Sequence, residues 1–207
     1  SLCNASLAVL VWLFLKDTVG DKTGEGTKTK LGLKEIIAVL RMPAVWLISM
    51  IVLTSYSAYW GAYYFAPYAT DIFGLSVVIG ASLAVGKMWL KPVVAVCAGF
   101  AADKLGVANT VFYCLLAMTL CFGVFSVLPG GDAYLVVMLI NVIIISIGVF
   151  ALRGLYFALL SEGGISSAAT GTAVGVISAI GFTPDVFMPL LGGILLDAYP
   201  GAEGYRY

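Results

Sequence analysis

Six long apolar runs divide the chain, at about 1–15, 44–66, 77–101, 109–128, 134–159 and 168–195. A helix crossing a bilayer needs about 20 apolar residues in succession, and the last five runs reach that length. The connections 67–76, 102–108, 129–133 and 160–167 are short. Short connections force successive helices to lie antiparallel and side by side. Segment 16–43 is different: its GDKTGEGTKTK stretch reads as a flexible polar loop. From Leu31 to Arg41 the loop takes on the charge and apolar spacing of a short amphipathic surface helix. The pattern predicts an all-α, polytopic transmembrane bundle, with an outer loop over 196–207.

Composition agrees with the pattern. Of 207 residues, 61% are hydrophobic and only 11% charged, against about 25% charged in a soluble domain. Eleven basic residues balance eleven acidic ones, so no charge excess points to nucleic acid, and the lipid bilayer is the expected partner. Histidine is absent, which excludes His-based triads, His general bases and His metal sites. The cysteines Cys3, Cys97, Cys114 and Cys121 all sit in apolar runs without a CxxC pair. Disulfides, metals and cofactors are therefore not expected. With no GxSxG, HExxH or Walker motif either, the chain does not read as an enzyme. Basic residues set the orientation. Lys16, Lys22, Lys28, Lys30, Lys34 and Arg41 lie in 16–43 and Lys104 in 102–108, whereas the opposite side carries only Arg206. The positive-inside rule then puts 16–43, 102–108 and 160–167 in the cytoplasm and both ends outside. The chain starts within an apolar run at Ser1, with no initiator Met or basic leader, so it reads as a piece of something longer.

Four ionisable residues fall well inside apolar runs: Lys87, Lys91, Arg153 and Asp185. A charge at a helix centre costs about 2.5–3.5 kcal/mol or more and marks a functional candidate. At about 1.5 Å per residue, Lys87 and Asp185 both lie roughly 15 Å below the outer end of their runs. Two readings stay open. Lys87 and Asp185 form a structural pair while Lys91 and Arg153 snorkel, or all four line an aqueous cavity. Lys87 and Lys91, four residues apart, share a helix face and repel. Three cations against one acid at depth must be offset by an acid from the missing half, a lowered Lys pKa or a bound anion, of which the anion is favoured. Pro184 and Pro189 remove backbone donors in the sixth run, freeing carbonyls near Ile180 and Asp185, a break tolerated only where something satisfies the exposed groups. Tyr56, Tyr59 and Trp60 sit deep enough to need hydrogen-bond partners, while Tyr63, Tyr64 and Tyr68 suit an interfacial aromatic belt. Asn141 reads as an interhelical hydrogen bond or a cavity polar group. Gly171, Gly175 and Ala179 form a small-residue stripe suited to helix packing.

Two motifs connect these features. The turn Gly99-Phe100-Ala101-Ala102-Asp103-Lys104-Leu105-Gly106 has the form GxxxD(K/R)xG. Its glycines permit close helix approach, and Asp103 suits a cap on the next helix or a pair with a cation of a neighbouring bundle. Further on, Arg153-Gly154-Leu155-Tyr156-Phe157-Ala158-Leu159-Leu160-Ser161-Glu162 precedes Gly171-Thr172-Ala173-Val174-Gly175, with Arg153 and Glu162 suited to pair at the inner rim. On these strings the chain resembles the C-terminal half of major facilitator superfamily transporters, from the end of the sixth helix through the eleventh. RGLYFALLSE together with Gly181-Phe182-Thr183-Pro184-Asp185-Val186-Phe187 is similar to a group of bacterial inner-membrane members. The resemblance implies a multi-pass inner-membrane secondary transporter working by alternating access against an N-terminal six-helix half. The solute would be small, polar and anionic. Tyr56, Tyr59, Trp60, Lys87, Lys91, Asn141 and Arg153 are then candidate substrate contacts. Asp185 is a candidate coupling carboxylate, and Gly99, Asp103, Lys104, Gly106 and Glu162 form the conformational motif. The alternatives are a proton-coupled porter of a neutral solute and a non-transporting membrane sensor.

Overall fold

The computed structural model describes residues 33–129 and 131–205. The run at 1–15 and the loop up to residue 32 lie outside the described residues. Helices α1 (Leu33–Leu40), α2 (Pro43–Gly61), α3 (Phe65–Asp71), α4 (Val77–Leu105) and α5 (Val107–Val127) come first. They are followed by α6 (Leu135–Leu155), α7 (Leu159–Glu162), α8 (Thr170–Gly181) and α9 (Pro184–Ala198). No strand occurs among the described residues. Five helical stretches are long and apolar enough to cross a membrane: Pro43–Asp71, Val77–Leu105, Val107–Val127, Leu135–Leu155 and Ser167–Ala198.

The joints follow from local chemistry. Pro67 has no N–H to offer the carbonyl of Tyr63, and the first span tightens there into a 3-10 turn over Ala62–Tyr64 before continuing as α3. Ser76 caps α4 by accepting the Ile79 amide at 3.3 Å. Between α4 and α5 stands a single residue, Gly106, at φ +86°. Only glycine enters that conformation without a Cβ penalty, so the cytoplasmic turn expected over 102–108 is compressed to one residue. In the last span the chain leaves the helix at Phe182 and Thr183 and restarts with Pro184 at the first turn of α9. The carbonyl of Ile180, deprived of the Pro184 amide, instead accepts the Thr183 amide at 3.2 Å and the Thr183 hydroxyl at 2.8 Å.

The core is built around α6, whose Met138, Ile145 and Leu152 are fully buried. It packs on α4 and α5, and α2 packs on α8, where Ala173 and Ile177 are also fully buried. In lipid the surroundings are as apolar as Leu, so helix association rests on close packing and interhelical hydrogen bonds. Both are visible. A Cβ on Gly148 of α6 would stand 2.6 Å from Met118 Cγ of α5, so α5 and α6 approach at this glycine. Seven residues earlier on the same helix, Asn141 donates its side-chain amide to the Cys121 carbonyl at 2.9 Å and is buried. Asn141 is thus an interhelical strut. Gly181 plays the Gly148 role for α8, because a Cβ there would strike Val52 of α2.

The stripe expected to pack does not. A Cβ at Gly171 or Gly175 meets nothing within 4 Å, and Ala179 is exposed. The same holds at Gly99, where close helix approach was expected from the motif. Among the described helical glycines, close approaches lie instead at Gly148, at Gly181, at Gly80, 2.9 Å from Thr70 Cγ2, and at Gly192 of α9, where a Cβ would strike the Tyr64 hydroxyl.

Candidate functional site

Asp185 lies in the first turn of α9, at the break that Pro184 imposes. Its Oδ1 accepts the Trp60 indole N–H at 2.8 Å and its Oδ2 accepts the Tyr56 hydroxyl at 3.3 Å. Trp60 and Tyr56 are one helical turn apart on α2, which puts both on the face toward α9. The break also delivers Phe182, whose ring stands 4.8 Å from that of Tyr56.

Arg153, from the last turn of α6, completes this assembly from the other side. Its guanidinium carbon lies 4.4 Å from the Tyr59 ring centroid and 5.4 Å from that of Tyr56. Tyr56 and Tyr59 stack on one another at 5.6 Å. A guanidinium within about 6 Å of a ring face is attracted by its quadrupole. Tyr56 therefore meets a cation on its face and a carboxylate at its hydroxyl. Three helices, α2, α6 and α9, bring a neutral pair of opposite charges to one aromatic cluster.

Lys87 of α4 occupies a different end. Its ammonium donates to the Ala62 carbonyl and lies 5.3 Å from the Tyr63 ring and 5.8 Å from the Phe65 ring. Tyr63 shares a 2.8 Å hydroxyl–hydroxyl hydrogen bond with Tyr59. Lys87, Lys91, Tyr59, Tyr63 and the buried Ser146 line a cavity of about 120 Å³. The expected Lys87–Asp185 pair is not formed: Asp185 takes two neutral donors on α2, and Lys87 takes a backbone carbonyl. Tyr63, assigned from sequence to an interfacial belt, instead connects the Arg153 and Lys87 ends. The spacing of four from Tyr59 was the available signal. Tyr68, also placed in the belt, is buried against Phe73, Phe125 and Tyr205.

At the far end of α4 and α6 the motif residues take other partners than expected. Glu162 does not pair with Arg153. Its two oxygens accept the Val107 and Ala108 amides at 2.9 Å each, capping the N-terminus of α5. The first amides of a helix lack partners and carry positive partial charge, so a carboxylate suits that position. Asp103, expected to cap that same helix, is exposed, as is Lys104. A Cβ at Gly106 would make only an ordinary 4.0 Å contact with Glu162 Oε1, so the backbone conformation, and not space for Glu162, is what calls for glycine there. Pro189 lies inside α9, which continues through it.

Two features had no signal in the sequence. A larger groove of about 430 Å³ opens between α2, α5 and α9, lined by Tyr64, Phe122, Phe125, Leu195 and Tyr205 among others. At its edge the Tyr205 hydroxyl donates to Asp71 Oδ2 at 2.7 Å. Burial, followed by that hydrogen bond, raises the Tyr205 pKa above its ordinary value.

No family model matches the chain, and no solved structure does. Two curated proteins of Escherichia coli K12 are similar to it. Inner membrane protein YqcE is 30% identical over 214 residues, covering 97% of this chain and 48% of that protein. Inner membrane protein YihN is 26% identical over 211 residues, covering 100% of this chain and 50% of that protein. The chain spans about half the length of the curated relatives it matches. Together with five helices able to cross a bilayer, these relatives make it a multi-pass bacterial inner-membrane protein.

Proposed function

We propose that the chain is the C-terminal half of a secondary transporter of the major facilitator type. It moves a small, polar, anionic organic solute by alternating access against an N-terminal six-helix half. The observation that carries the proposal is the Arg153–Tyr56–Asp185–Trp60 assembly. Charges within membrane spans are expensive and belong to pathways or binding sites, and here they are gathered from three helices onto aromatic rings. Lys87 and Lys91 beside it add two further cations, which supports an anion as the solute. Pro184 supports the same reading. The break between α8 and α9 puts Asp185 in the first turn of α9, and interrupted helices of this kind are a feature of transporter binding sites.

A second reading rests on Asp185 alone. Among the described residues it is the single acid in the cluster, and its partners Trp60 and Tyr56 are neutral donors. Proton-coupled uptake of a neutral solute would follow. Uptake into proteoliposomes holding the full-length protein separates the two. Saturable entry of an anionic solute down its own gradient, without an imposed pH gradient, supports the first, and a neutral solute accumulating only with one supports the second. Saturable binding without uptake would leave a membrane sensor.

A further inference from the structure

The two ends of the aromatic cluster differ in charge. At the Asp185 end, Arg153 and Asp185 balance, and both act on Tyr56. At the other end the 120 Å³ cavity is lined by Lys87 and Lys91, and among the described residues no carboxylate stands in its wall. Tyr59 belongs to both: Arg153 lies on its face, its hydroxyl bonds to Tyr63, and it lines the lysine cavity. The two ends are therefore contiguous.

Each end asks for a different chemical group. The lysine cavity, at about 120 Å³, has room for a carboxylate, sulfonate or phosphate group. Two uncompensated cations at that point favour an anion there. The Asp185 carboxylate offers about four lone-pair sites, of which Tyr56 and Trp60 occupy one each. Asp185 is exposed, so its remaining sites are open to donors. Arg153 lies on the ring of Tyr56, whose hydroxyl donates to Asp185, so this end already holds one cation for its one acid, and a neutral hydroxyl suits it better than a further ammonium.

We infer that the solute is a small hydroxylated acid bound in one orientation, its anionic group in the Lys87–Lys91 cavity and its hydroxyls on Asp185 of α9. This rests on the transport reading for its biological use, but it is a statement about binding and is tested without transport. Purified full-length protein in detergent is titrated, by equilibrium binding, with hexose-length hydroxylated carboxylates, sulfonates and phosphates. The matched neutral sugars and polyols, and alkanoates of equal length, are titrated beside them. The expected result is a hydroxylated acid that binds at least about tenfold tighter than both its neutral and its deoxygenated counterparts. Lys87→Gln, which keeps a donor for the Ala62 carbonyl, should weaken the acid about tenfold and leave a neutral counterpart unchanged. Lys91→Gln should act in the same direction. Asp185→Ala, which removes the acceptor oxygens, should bring the hydroxylated acid down to the affinity of its deoxygenated counterpart. Tightest binding by a neutral or deoxygenated compound, or no binding by any hydroxylated acid, overturns the inference. So does unchanged acid affinity in both lysine variants when they elute as monodisperse protein. If the binding pattern holds while proteoliposomes show no uptake, the transport proposal fails and the site assignment stands.

Discussion

Trp60 donates its indole N–H to Asp185 across 2.8 Å, joining the C-terminal end of α2 to the first turn of α9. The bond ties the restart of the last span, forced by Pro184, to a helix that also carries Tyr56 and Tyr59. It fixes the position of the only acid in the aromatic cluster.

Removing that donor should loosen the acid without disturbing the core. A hydrogen bond to a charged group contributes about 1.5–3 kcal/mol, and the exposure of Asp185 argues for the lower part of that range. Trp60→Phe should weaken solute binding about tenfold while leaving the thermal midpoint in detergent within a few degrees. A Trp60→Phe protein with unchanged affinity would show that the bond does not position Asp185 for the solute.

Glu162 is expected to behave as a helix cap and not as the ion-pair partner of Arg153. Glu162→Ala should cost about 0.5–2 kcal/mol, the range for losing a capping side chain. Glu162→Gln, which keeps one acceptor oxygen, should cost less. A double-mutant cycle between Glu162→Ala and Arg153→Ala, read by thermal unfolding, should be additive within about 0.5 kcal/mol. Coupling well beyond that would restore the pair.

The two glycines of the α5–α6 region should differ sharply. Gly148→Ala drives a methyl into Met118 and should cost about 1–3 kcal/mol, as overpacking does, with larger residues failing to yield folded protein. Gly123 of α5 has open space around its Cα, so Gly123→Ala should be neutral or stabilise by up to about 1 kcal/mol through helix propensity. Comparing yields and thermal midpoints of the two variants tests where α5 and α6 touch.

The bond between Tyr205 and Asp71 sets a pH dependence. Burial and this bond favour the neutral phenol and raise its pKa in the folded state. The stabilisation is therefore complete below the unfolded-state pKa of about 10 and is lost as the pH climbs from there through the folded-state value. Tyr205→Phe should lower the thermal midpoint at neutral pH, and the difference from the parent protein should shrink above about pH 10. A difference that stays constant into that alkaline range would mean the phenol ionises without cost.

How much of this was legible beforehand depends on whether the signal was local. The spans were, since apolar length is a one-dimensional property, and so were the break at Pro184 and the sharp turn at Gly106. Pairings were not. Glu162 and Val107 are far apart in sequence, and nothing in Asp103 announces that a distant carboxylate occupies the cap it would suit. Lys87 and Asp185 sit at similar depth, yet depth says nothing about azimuth, and the two side chains face different neighbours. The small-residue rule failed in the same way. It marked Gly99, Gly171 and Gly175 and passed over Gly148, because a single glycine opposite a methionine makes no stripe. Tyr63 was misplaced because an aromatic residue near a span end suits both an interfacial belt and a cavity wall.

The most direct test of transport is solute counterflow. Proteoliposomes containing the full-length protein are loaded with an unlabelled hydroxylated acid that binds it, then diluted into a trace of the same labelled acid. Transient accumulation of label, saturable and strongly reduced in Arg153→Ala, is the predicted result. Saturable binding with no label entering above protein-free vesicles would contradict transport and leave a binding protein of the inner membrane.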